Sequence, residues 1–146
     1  MENKITRTLS NKTDAGMPLV LIVSEISFFR TVVNKKNDGY VTIIGLKDNA
    51  QDQVVMFETY EEAEEFHEGM VNEIGNDLFV TYVSQNDELV SIEKESVSFI
   101  RGTDNKRGSG KVAIIGLAHF ARSQHEFFED QESCLEFIKD MSNKVA

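Results

Sequence analysis

Residues 26–70 and 97–141 carry closely similar sequences at a fixed spacing of 71, without a gap. Of those 45 positions 19 are identical, including Ser27/Ser98, Phe28/Phe99, Arg30/Arg101, Gly39/Gly110, Gly45/Gly116, Phe57/Phe128, Phe66/Phe137 and Met70/Met141. An internal repeat constrains architecture more than any single motif, and two copies are too few for a solenoid. The chain therefore reads as a duplicated module. Within one chain, duplication commonly replaces a symmetric homodimer, so a pseudo-twofold arrangement of the copies is expected.

The 146 residues are enough to bury a core without disulfides. Each copy alone would be a marginal unit of about 55–60 residues, so the two are expected to pack on one another. A single cysteine, Cys134, excludes an intrachain disulfide. It falls on the apolar side of an expected helix, where a buried, inert thiol is anticipated. No apolar run reaches the length of a membrane span, and residues 1–16 lack the hydrophobic stretch of a signal peptide. A cytoplasmic, reducing location is the corresponding expectation.

Each copy reads as antiparallel strands followed by one helix. In the first, residues 19–23, 26–33, 40–46 and 53–58 are rich in β-branched and aromatic residues, with polar turns between them. In the second, the same pattern covers 88–93, 97–101, 111–117 and 124–128, and residues 77–84 suggest one further strand. Thr59 and Glu62 form a capping-box pattern ahead of a helix whose apolar stripe is Ala63, Phe66, Met70 and Val71. Asp130 is the expected cap of the second helix, with Leu135, Ile138 and Met141 along its stripe and Cys134 and Phe137 widening it. The fold class is α+β: two tandem hairpin-and-sheet units, each closed by a C-terminal helix. The expected boundaries are a flexible arm over 1–17, a first repeat over 18–75 and a second over 76–146.

The most distinctive non-core match is basic. Asn34-Lys35-Lys36 corresponds to Asn105-Lys106-Arg107, each bracketed by a matched arginine (Arg30, Arg101) and a matched glycine, with Lys111 added in the second copy. The chain as a whole carries a net charge of −10, so these tips segregate positive charge away from acidic helices. That net charge excludes a protein that coats nucleic acid over its whole surface, but not a local basic patch. Arg30, Lys35, Lys36, Arg101, Lys106, Arg107 and Lys111 are thus the candidate binding residues.

Enzyme motifs are wanting. The segment 107–111 resembles a phosphate-binding loop only superficially, because Lys111 is followed by Val112 and opens a strand instead of a helix. His119 and His125 flank one turn, but Asp48 and Val54 replace them in the first copy, and no third or fourth ligand is fixed by spacing. No nucleophile–histidine pair comes with an orienting third residue. No cofactor and no catalytic residue is assigned.

Three functions remain as expectations. The first is a non-enzymatic binding or assembly protein acting through protein–protein contacts, of the accessory or inhibitor kind that phages encode, with self-association into a homo-oligomer. The second is a nucleic-acid-binding module using the basic tips. The third is an acidic mimic of nucleic acid. Adjacent aromatics favour the first: Phe28-Phe29 and Phe127-Phe128 each place rings on both faces of a strand, so both faces need cover.

Overall fold

The computed structural model describes residues 8–12, 18–35, 38–48, 51–119 and 121–146. The class is α+β. Among the described residues, ten strands and two α-helices follow in order: β1 (Thr8–Lys12), β2 (Pro18–Ile22), β3 (Ile26–Val33), β4 (Tyr40–Leu46), β5 (Gln53–Phe57), α1 (Tyr60–Ile74), β6 (Phe79–Val83), β7 (Leu89–Glu93), β8 (Val97–Asp104), β9 (Lys111–Leu117), β10 (Gln124–Phe128) and α2 (Gln131–Val145). Every element from β1 to α1 recurs 71 residues later with the same bounds. Within the stretch 1–17, expected as a flexible arm, residues 8–12 form β1, which pairs with β2.

The strands are antiparallel throughout and form sheets in the orders β5-β4-β3-β7-β6, β10-β9-β8 and β1-β2. The five-stranded sheet is not the property of one repeat. Its β6–β7 hairpin precedes the second repeat's β8, yet pairs with β3 of the first (Phe28↔Ile92, Phe29↔Ser91, Arg30↔Val90, Thr31↔Leu89). A 3-10 turn over Lys94–Ser96 then carries the chain away into β8. The copies are therefore joined by shared hydrogen bonding as well as by packing.

The helix starts are well defined. Thr59 Oγ1 accepts from the Glu62 amide at 3.2 Å, and the Glu62 carboxylate accepts from the Thr59 amide at 3.4 Å. Asp130 accepts from the Ser133 amide at 2.7 Å. The face of α1 buries Ala63, His67, Met70 and Val71. The face of α2 is centred on Cys134 and Met141, with Phe137 and Ile138 half-buried between them. Leu135, expected in that stripe, is exposed. Positions 134, 137, 138 and 141 share one helical face, and 135 lies about 100° from 134 around the axis.

Two glycine pairs explain much of the sequence match. Gly39 and Gly110 have φ of +108° and +93°, and a Cβ at either would fall 2.4 or 2.3 Å from the carbonyl oxygen of Phe57 or Phe128. Only glycine combines that left-handed φ with so close a backbone approach. Gly45 and Gly116 lie under the rings of Phe28 and Phe99, where a Cβ would come within 1.9 and 2.0 Å of a ring carbon. An aromatic laid across a strand glycine covers the backbone that glycine leaves bare.

Candidate interaction surface

The matched arginines differ in environment. On β3, the Arg30 guanidinium bonds Glu88 at 2.6 and 2.9 Å, Glu126 at 2.7 and 3.2 Å and the Gln124 side-chain oxygen at 2.9 Å. The Tyr82 hydroxyl donates to Glu126 at 2.5 Å. Burial works against the Arg30 charge, but the two carboxylates outweigh it and raise its pKa. Burial first, and then the Glu126 charge, raise the Tyr82 phenol well above its ordinary value. This cluster ties β3 and the β6–β7 hairpin to β10. Arg30 is thus an internal ion-pair partner, away from the hairpin tip. Arg101, its counterpart on β8, is exposed.

The other candidates sit as follows. Lys35, Lys106 and Arg107 are exposed on the tips, and Lys36 lies outside the described residues. Lys111, at the start of β9, is held by Asp104 at 2.5 Å; that hydrogen bond lowers the Asp104 pKa. The second tip is ordered locally by Asn105, whose side chain accepts from the Arg107 amide at 3.1 Å. His119 approaches Asp48 at 3.9 Å, and His125 is exposed on β10. Among the described residues, no group of three or more His, Cys, Asp or Glu side chains could hold a metal ion. Cys134 is buried, and that burial raises its thiol pKa.

His67 shows what the sequence concealed. It is wholly buried. Its Nδ1 lies 2.8 Å from Thr31 Oγ1, which lies 2.8 Å from Thr42 Oγ1. Its Nε2 lies 2.8 Å from Ser91 Oγ, itself 2.7 Å from Thr81 Oγ1. The chain of hydroxyls fastens the second repeat's hairpin to α1 and β3 of the first. As a nucleophile–histidine pair it is poorly equipped: the orienting partner is a neutral hydroxyl, which cannot stabilise an imidazolium. Burial lowers the His67 pKa from 6.5 to about 4, leaving a weak base. The repeat itself held a signal for this cluster, because Thr31, Thr42 and His67 correspond to Gly102, Ala113 and Ile138.

A pH dependence follows from the depressed His67 pKa. The unfolded chain takes up this proton near pH 6.5 and the folded chain only near pH 4. Stability is therefore fully present above pH 6.5 and falls as pH drops towards 4, by about 3 kcal/mol over the whole window. Urea denaturation of wild type and His67→Gln at pH 7 and pH 4.5 checks this: the variant should lose less stability between the two.

The edge of β8 carries exposed apolar side chains. In the five-stranded sheet, Phe28 is 2% exposed beneath the hairpin that pairs with β3. On β8, Phe99 covers the equivalent glycine but is 50% exposed. Beyond β8, no strand is hydrogen-bonded among the described residues. The register Phe99↔Gly116 and Phe127↔Val112 places both rings on one face of the β8–β10 sheet, and Phe127 is 49% exposed. Exposed apolar side chains on an open strand edge are the usual makings of an interface.

Among the described residues, no helix is long and apolar enough to cross a membrane. Comparison with protein-family models, characterised proteins and solved structures finds no match to this chain.

Proposed function

We propose that this chain is a non-enzymatic assembly protein that works by protein–protein contact, including self-association, through the uncovered face and edge of the β8–β10 sheet. The observation that carries the reading is the contrast between Phe28 and Phe99. Two rings sit over equivalent glycines on equivalent strands, one sealed by the β6–β7 hairpin together with Ile115 of β9 and Met141 of α2, and the other half in solvent. Phe99 is 50% exposed, and burying the remaining half of a phenylalanine contributes about 1 kcal/mol, so an occupied β8 edge is favoured over a bare one. The reading places the protein in the cytoplasm.

Light scattering after size exclusion tests it. The wild type is expected above the 16.5 kDa of one chain, and Phe99→Asp at that mass. A wild type that stays at one chain's mass and binds no protein partner would remove the reading.

A nucleic-acid-binding function is the second reading, supported by the exposed cations Lys35, Lys106 and Arg107. It predicts an affinity for labelled DNA or RNA that falls steeply with salt and is lost when Lys106 and Arg107 become alanine. An apolar protein contact would respond little to salt.

A further inference from the structure

We infer that the open edge of β8 receives the β1–β2 hairpin of a second copy of this chain. The inference rests on the assembly reading above and names its partner. Its template lies inside the molecule. The β1–β2 register runs from Thr8↔Ile22 to Lys12↔Pro18, and the β6–β7 register from Phe79↔Glu93 to Val83↔Leu89, so the hairpins are equivalent position by position. The turns that follow them are anchored alike, by Lys47 N–H to Glu25 O at 2.8 Å and Ala118 N–H to Ser96 O at 2.7 Å. The β6–β7 hairpin is seated on β3, and the equivalent of β3 is β8. Carried across by 71 residues, the β3–β7 register sets Phe99 opposite Leu21, Ile100 opposite Val20, Arg101 opposite Leu19 and Gly102 opposite Pro18. Pro18, which has no amide hydrogen, then falls at the end of the docked strand, where it is tolerated.

The side chains on the two sides of this junction change character together. Where β7 sits on β3, Ser91 meets His67, which lies against Thr31 and hence Thr42. At β8 the corresponding residues are Val20, Ile138, Gly102 and Ala113. A hydroxyl facing an imidazole over two threonines becomes a valine facing an isoleucine over glycine and alanine. Hydroxyl–imidazole and apolar–apolar pairs each satisfy a buried site, whereas a mixed pair would strand a polar group. The receiving groove has a volume of about 520 Å³ and is lined by Gly102, Cys134, Leu135 and Ile138 among others.

The donor is another copy because this chain's own β2 is engaged elsewhere. Among the described strands it pairs only with β1, and its Leu21 is buried in the core beside Phe29, Ile44 and Met70. Val20 and Ile22 remain 56% and 43% exposed. Each chain thus offers one hairpin and one receiving edge. Reciprocal exchange closes a dimer, and one-way exchange builds a longer array. The ionic cluster of the template has no match in sequence, since Met17 and Val55 are the residues that correspond to Glu88 and Glu126 at the 71-residue spacing. Arg101 therefore has no counterpart of that cluster to pair with, and association rests mainly on apolar contact and depends little on salt.

Hydrogen exchange of the β8 amides, read alongside solution mass on the full chain, tests the inference. The expected result is a mass above one chain with protected β8 amides, both lost on dilution and in Val20→Asp. Both should be kept in Val83→Asp, where an equally exposed valine is changed. Val20→Thr, close to isosteric, gives the same reading where the aspartate prevents folding. An oligomer whose mass and β8 protection ignore both Val20 variants would overturn the hairpin and leave the assembly reading standing. A single chain with protected β8 amides would place its own hairpin there and overturn the second copy. A single chain with unprotected β8 amides would overturn both.

Discussion

Arg30→Ala is expected to cost about 3–5 kcal/mol of folding stability, because it leaves buried carboxylate charge without its partner. The matched Arg101→Ala should stay within about 0.5 kcal/mol, as surface substitutions usually do. Glu126 is nearly inaccessible and Glu88 partly so. With the guanidinium gone, Tyr82 is the remaining side-chain partner of Glu126 among the described residues. Arg30→Ala/Glu126→Gln should recover part of the loss by removing the stranded charge. Urea denaturation of the four chains at pH 7 reads all of this. Equal costs at Arg30 and Arg101 would show that the cluster between β3 and β10 does not form.

Gly45→Ala is the second large effect. The new methyl would fall 1.9 Å from the Phe28 ring, and Phe28 is enclosed by β7 and its neighbours with nowhere to turn. Overpacking of that kind costs about 1–3 kcal/mol, occasionally more. Gly116→Ala meets Phe99 at 2.0 Å, but that ring is half exposed and can swing outward in the isolated chain. Its cost in dilute solution should therefore be under about 1 kcal/mol. The pair separates two demands that the sequence match leaves merged, a glycine under a ring and a ring held shut. Thermal unfolding of both variants at low concentration distinguishes them.

Strand and helix positions were legible because alternation, caps and turn residues act locally. Tyr40–Leu46, Lys111–Leu117 and Gln124–Phe128 have the bounds their β-branched and apolar content implies. Thr59 with Glu62 placed the start of α1. Strand partnership was not legible. Nothing in residues 79–93 announces that their hairpin crosses to β3, since that choice is made by edges distant in sequence. Arg30 and Arg101 looked alike because their own neighbours are alike. What separates them is Glu88 and Glu126, 58 and 96 residues from Arg30. His67 was hidden for a similar reason: it shares the apolar face of Ala63, Met70 and Val71, but the hydroxyls that satisfy it come from β3 and β7. The clue lay between the copies, where Thr31, Thr42 and His67 change in concert to Gly102, Ala113 and Ile138.

An assembly surface on the β8–β10 sheet requires the face carrying Phe99 to be covered when the protein is assembled. Hydroxyl-radical footprinting of the rings, from concentrated to dilute solution, measures that directly. Phe28 is the internal standard, buried at every concentration. Phe99 is predicted to be protected nearly as well as Phe28 in concentrated solution and to become reactive on dilution. A Phe99 ring equally reactive at every concentration would contradict the account.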